Sequence, residues 1–420
     1  MRFRITRSRI RRAAIVPMAA LLMTLLVGML AFSIDIGYIC AVQAELQNAA
    51  DSAALAGAQQ MQQAFVDFYA PGQTQQQTIY TEVTTNYPNT PYPTITTAQT
   101  YAAYNKAGGV NITVPTSDIS FSYYDGTTFT PASYPNYFPN TITVKTRRDS
   151  TANGALGLFF AKIFGISTTN LTATASATIY AGDVTSLQVI SGVDAHILPV
   201  ALDVNVWKAF ANANFSSPWL SGGVVTTGSN GQPQLQVYDF GTNTSGSFGL
   251  VDVGVPSNNT PAFRNWIDNG STPNDISYLL NNSLLPVSPS APEPWKAGPG
   301  LKSTLVTNFQ SVMGEANLIP LFVPQYTGPN LTGTSVNGTG SQYTAGAAQG
   351  QNATYSIVGF ASITVSQADG SGKNGLTVSI QPMAINDPTS VITNPSPARS
   401  TQQTVFGTPQ TTFVSAKLTQ

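Results

Sequence analysis

The chain has 420 residues, enough to bury two or three ordinary cores, and a net charge of −1. Only 9 % of its residues are charged, far below the rough quarter usual in globular proteins, so its polarity rests on Thr, Ser, Asn and Gln. No basic patch exists to release counterions from phosphate, which excludes nucleic-acid binding. A single cysteine, Cys40, excludes a disulfide framework.

Charge is concentrated at the start. Six of the 18 Lys and Arg lie in the first twelve residues (Arg2, Arg4, Arg7, Arg9, Arg11 and Arg12), leaving 12 basic against 19 acidic residues beyond them. Residues 13–34 follow without a charge and would span about 33 Å as a helix, enough for a bilayer core. Pro17 falls near the start of that run, where a missing N–H does least harm. Arginines before the run and Asp35 after it predict a cytoplasmic N-terminus and an extracytoplasmic bulk. Cleavage near Val42-Gln43-Ala44 is the alternative, but the run exceeds an ordinary signal-peptide core of roughly 7–15 residues.

Residues 38–61 contain no proline and are dense in Ala, Leu and Gln, so the helix is expected to continue outside the membrane. Leu46, Ala49, Ala50, Ala53 and Ala54 recur at helical spacing and form one small apolar stripe. That stripe either packs on the chain's own domain or docks on partner helices as a stalk. Pro71-Gly72 ends the pattern.

These residues also carry a resemblance. The basic start, the apolar span, Ile34-Asp35-Ile36-Gly37-Tyr38 and the run from Leu46 to Ala58 (LQNAADSAALAGA) are similar to the TadG family of tight-adherence (Flp) pilus assembly proteins. The minor pilins of that system share the layout but are expected to carry a prepilin-peptidase site. Arg12-Ala13-Ala14-Ile15-Val16-Pro17 lacks its Gly and Glu, which points to the uncleaved type. The resemblance implies a membrane-anchored pilus component whose partners are other pilus-assembly or minor pilin proteins, met through the N-terminal helix.

Residues 73–105 are rich in Thr, Gln and Tyr and are interrupted by Pro88, Pro91 and Pro93. Strand alternation begins at Val110, Ile112 and Val114, and Asp125-Gly126 signals a hairpin between residues 119–124 and 127–130. Residues 141–147 read as another strand, 156–165 (LGLFFAKIFG) as a short apolar helix closed by Gly165, and 171–180 as an alternating strand. The order again resembles the membrane-proximal domain of TadG-like proteins.

After a joint at 184–193 a second unit begins. Thr260-Pro261 opens a helix that Asn269-Gly270 closes, residues 301–313 form another, 318–323 a buried strand, and 355–366 with 375–383 a strand pair. From about Asn386 the chain is Pro, Ser and Thr with little hydrophobic pattern and is expected to be loose.

The fold class is therefore α+β, with one long N-terminal transmembrane helix continuing outside the membrane and two β-rich mixed domains. Boundaries fall at 1–12 (basic, cytoplasmic), 13–34 (transmembrane), 35–72 (extramembrane helix), 73–181 (membrane-proximal domain), 190–385 (outer domain) and 386–420 (tail).

Catalytic, cofactor-binding and metal residues are expected to be none. His196 and Cys40 lie far apart in sequence, against a nucleophile pair, and His196 reads as a structural histidine among apolar neighbours. Asp118-Ile119-Ser120-Phe121-Ser122 matches the DxSxS string of von Willebrand A-type metal sites, but its alternation reads as a half-buried strand. Aromatics from Phe121 to Phe138 serve either an adhesive patch or hairpin packing. The leading expectation is a non-enzymatic component of Flp pilus assembly in the bacterial inner membrane, acting through protein–protein contacts. A surface adhesin or glycan-binding module with the same anchor is the alternative. An envelope hydrolase would need two of Asp203, Asp239 and Asp252 to face each other in a pocket.

Overall fold

Helix α1 (Ile15–Phe68) runs for 54 residues, about 81 Å at 1.5 Å per residue, and its two halves meet different surroundings. The computed structural model describes residues 15–87, 89–220, 224–238, 248–257, 259–298, 303–323, 354–370, 376–398 and 411–419. Up to Ile34 the helix is apolar on every side and exposed, as a segment made for lipid must be. From Asp35 onward one face is covered by the chain's own first unit: Val42, Leu46, Ala49, Ala50, Ala53, Ala54 and Met61 are buried.

That unit begins with two short helices, α2 (Gln76–Thr84) and α3 (Thr94–Ala103), and a two-residue ladder, β1 (Lys106–Ala107) with β2 (Val110–Asn111). Its sheet then uses β3 (Ile119–Tyr124), β4 (Phe129–Pro131) and β5 (Thr141–Arg148). A small ladder of β6 (Leu156–Gly157) and β7 (Thr168–Thr169) precedes β8 (Leu171–Leu187). In β8 alternation is strict at first: Ala173, Ala175, Ala177 and Ile179 are buried in the core that includes the α1 stripe. Small residues on both surfaces let helix and sheet approach closely. On β5 and β8, Thr141 meets Thr178 (2.8 Å) and Thr143 meets Ser176 (2.7 Å), pairing hydroxyls across strands.

The second unit contains β9 (Val200–Asp203), α4 (Val204–Ala211), β10 (Val225–Thr227), β11 (Pro233–Tyr238) and β12 (Phe248–Leu250). It continues with α5 (Thr260–Asn269), α6 (Pro273–Asn281), β13 (Glu293–Lys296), α7 (Val306–Ser311), β14 (Asn317–Phe322), β15 (Thr354–Asp369) and β16 (Thr377–Pro382). The sheet order is β10-β11-β16-β15-β14-β9-β12, with β13 also on β15. Among the strands described in this sheet, β14 and β9 pair in parallel and the other named pairs are antiparallel. Its central strands β14 and β16 are buried on both faces; β14 reads as a nearly continuous apolar run, whereas β16 alternates Val378 and Ile380 with buried Thr377, Ser379 and Gln381.

The chain then returns to the first unit. β17 (Ser390–Pro397) and β18 (Phe413–Thr419) both pair antiparallel with β8. The expected loose tail is therefore corrected: its Pro and Thr content masked two strands whose partner lies more than 200 residues earlier. Phe413 is 1 % exposed and meets Phe65 of α1 edge-on. The outer unit is consequently an insertion between β8 and β17. The expected joint is corrected in part, since β8 runs on to Leu187 and places Val184 and Leu187 in the outer core.

Other expectations shift locally. The stalk alternative for the Ala stripe is overturned, because α3, β5 and β8 already cover it. Residues 156–165 form β6 and a 3-10 turn (Ala161–Phe164) rather than one helix, although Gly165 does close it at φ 84°. The hairpin loop has four residues, as Tyr124 pairs with Phe129, and Asp125 holds it by accepting from the N–H groups of Thr127 and Thr128. Asn259, not Thr260, caps α5. The helix read at 301–313 is described only from Ser303, with Leu305, Phe309 and Val312 buried.

Candidate functional site at the membrane boundary

The exposed and covered halves of α1 meet at Asp35, the first charge after the apolar run. Its side chain is 3 % exposed. The carboxylate accepts the backbone N–H groups of Phe159 (2.8 Å), Phe160 (3.0 Å) and Ala161 (2.6 Å). Burial by itself would raise this carboxyl's pKa, but the three donors outweigh it and hold the group below its ordinary value. Above them Tyr38 packs on Phe159 with ring centroids 5.1 Å apart.

Polar groups farther up α1 also hydrogen-bond the first unit. Gln43 donates to the Thr172 carbonyl (2.8 Å), and Glu45 accepts from the Gly108 N–H (2.7 Å). Thr146 donates to the carbonyl of Leu46 (2.9 Å). The boundary is thus built by one helix and the loops beside it. It joins the exposed apolar segment to the first unit.

The residues singled out for chemistry do not converge. Asp118, in the turn just before β3, pairs with Arg147 of β5, while Ser120 and Ser122 lie on β3 as the alternation implied. His196 is exposed, which corrects its reading as a histidine enclosed by apolar neighbours: only Ala195, Ile197 and Leu198 beside it are buried. Cys40 is exposed just beyond the apolar segment. Asp203 caps α4 by accepting from the Asn205 N–H (2.8 Å), and burial pushes its pKa up to about 7. Asp252 lies in the loop after β12, and burial pushes it up to about 6. The Ser257 N–H and Lys296 temper that rise, yet neither Asp252 oxygen has a hydrogen bond of ordinary geometry. Asp239 lies outside the described residues. Among the described residues no group of His, Cys, Asp and Glu could hold a metal ion. The aromatics divide: Phe138 stacks on Phe68 within the core, while Phe129, Tyr134 and Tyr137 remain partly exposed.

A second feature had no sequence signal. A cavity of about 280 Å³ lies between the end of α1, α2 and the β10–β11 hairpin, with Asp67, Gln73, Tyr92, Asn230, Gln232 and Gln381 on its wall. Tyr92 donates to Asp67 (2.6 Å), whose pKa burial raises. Its residues come from four separate stretches of chain, so no local pattern announces it.

No curated protein and no solved structure matches the chain. Among the described residues α1 is the one helix long and apolar enough to cross a membrane, and it fits a single-pass anchor. Residues 13–60, which span that segment, Asp35 and the Ala stripe, match the Tad family model, described as "Putative Flp pilus-assembly TadE/G-like", so the N-terminal part of this chain is a TadE/G-like segment and supports involvement in Flp pilus assembly.

Proposed function

We propose that this chain is a non-enzymatic component of Flp pilus assembly, held in the bacterial inner membrane with its N-terminus in the cytoplasm. The two sheets stand on the outer side and act through protein–protein contacts with other pilus-assembly or minor pilin proteins. The match over residues 13–60 carries this reading. The arginines before the apolar run support the orientation. Because the Ala stripe is occupied within the chain, helix partners are left the apolar face of residues 15–34. Photo-crosslinking from Leu22, Leu26 and Met29 in cells expressing the pilus system tests it. Adducts with other pilus proteins are expected. Loss of the gene without any effect on pili would refute the assignment.

The adhesin or glycan-binding reading draws on one observation, the cavity with its amide, tyrosine and carboxylate wall, which suits a neutral hydroxyl-rich ligand. Saccharide binding that survives in the absence of all pilus proteins, and that Gln232→Ala abolishes, would favour it.

A further inference from the structure

The turn that Asp35 holds presents an unusual surface. Phe159, Phe160, Ile163, Phe164 and Ile166 are all exposed, Ile163 to 79 % and Phe164 to 73 %. Five large apolar side chains within eight residues form a patch that water does not favour. Leu158 and Ala161 are buried and root the loop in the first unit, and Gly165 closes the turn in the left-handed region. Lys162 is the one charge among these eight residues.

Position decides what the patch meets. Asp35 follows the last residue of the exposed apolar run, and its carboxylate grips the N–H groups of Phe159, Phe160 and Ala161. The loop is therefore fixed at the height where the hydrocarbon around α1 gives way to headgroups. The carboxylate is turned inward, so the charge presented at this level is that of Lys162, suited to lipid phosphate. Aromatic rings with a nearby cation are the side chains that favour the membrane–water interface.

We propose that the 159–166 loop is a second membrane contact, inserted into the headgroup–acyl boundary of the bilayer that α1 crosses. The occupant is lipid, argued from the continuity of the patch with the spanning segment, and the proposal rests on that spanning reading. Two attachment points would stop the domain from swivelling about its helix, and would present the outer unit at a fixed angle to the membrane.

The test uses the full chain in phosphatidylcholine–phosphatidylglycerol vesicles. In a Cys40→Ser background an NBD fluorophore is attached to Ile163→Cys, to Leu26→Cys within the span, or to the exposed Thr151→Cys as a solvent reference. Lipids carry a doxyl quencher either near the headgroup or deep in the acyl chain. Expected is quenching of position 26 by the deep label, of position 163 by the shallow label, and of position 151 by neither. Position 26 quenched with position 163 unquenched and water-like would overturn the loop contact alone. An unquenched position 26 removes the spanning reading and the proposal with it. Blue-shifted emission at position 163 that lipid labels leave unquenched would mean that a second copy covers the patch, and also overturns it. Ile163→Asp with Phe164→Asp should melt like the parent in detergent yet abolish shallow quenching at an Ile166→Cys label. Retained quenching there would count against insertion.

Discussion

Gly57 sits where α1 packs closely against its own domain, and substituting it separates internal packing from docking on a partner. A Cβ built there would lie 2.7 Å from Cδ1 of Ile142, 3.3 Å from Cβ of Ala98 and 3.5 Å from the carbonyl oxygen of Thr94. Ordinary carbon contacts are about 3.5–4.0 Å, so even one methyl requires Ile142, itself fully buried, to move by about 1 Å. Gly57→Ala gains about 1 kcal/mol in helix propensity and loses about 1–3 kcal/mol to overpacking, for a small net destabilisation. Gly57→Leu adds three more carbons with Ala98 and Thr94 closing the sides, and should cost about 3 kcal/mol. For a unit of this size, with about 2–4 °C per kcal/mol, the leucine variant should melt about 6–12 °C lower. Thermal unfolding of the purified full chain in detergent, followed by circular dichroism, reads this without any partner present. If Gly57→Leu melts within a degree or so of the parent, the stripe is not packed against α3 and β5. If it also loses crosslinks to other pilus proteins, docking on a partner becomes its role.

Other perturbations test separate parts of the argument. Asp35→Asn leaves one acceptor oxygen for three N–H groups, so amide hydrogen exchange at Phe159, Phe160 and Ala161 should speed up while the outer unit stays protected; unchanged protection would show the latch to be dispensable. Phe413→Ala removes a ring from the first core and should destabilise by about 3–5 kcal/mol, read by urea unfolding, whereas a loose tail would give no change. Asp203 has a folded-state pKa raised to about 7 from 3.8, so the unfolded chain releases its proton first. Its contribution to stability should fall as pH rises from about 4 to about 7 and stay low above that. Asp203→Asn keeps a capping acceptor and should flatten that part of the pH–stability curve; an unaltered slope would assign it elsewhere.

The anchor and the first sheet were legible because their signals are local. An uncharged run of bilayer length, helical spacing of Leu46 to Ala54, and the alternation in β5 and β8 need only neighbouring residues to be read. Helices α2 and α3 were not legible, since Thr is a poor helix former and their stability comes from packing Ile79, Val83, Ile95 and Ala98 into the first core. The grip of Asp35 on residues 159–161 was hidden for another reason: its donors are backbone groups more than 120 residues away, and backbone donors leave no mark in composition. The cavity wall shares that difficulty. The family match stops at residue 60, so it too is silent about the sheets.

The return of the chain to β8 changes what the two units can do. Residues 171–178 of β8 pair with β5, whereas residues 180–187 pair with β17, and at the hand-over Asn140 donates to the Ala398 carbonyl (2.8 Å). One continuous strand therefore serves the core around α1 at one end and the outer core at the other. The outer unit is tied to that strand by both its entering and its leaving segments. A single linker would let it rotate freely; two strand connections and the contact of Gln63 with the Ala384 N–H (3.1 Å) resist rotation. A displacement of α1 relative to the membrane would then be carried into the outer sheet through β8 instead of being absorbed in a joint. Cutting one tie tests this. A protease site placed at 401–410, between β17 and β18, leaves both connections intact, and the cleaved protein should keep its outer unit attached and its melting cooperative. A site placed at 383–389 severs one connection, and the outer unit should then melt apart from the first; a single shared transition after that cut would refute mechanical coupling through the strand pair.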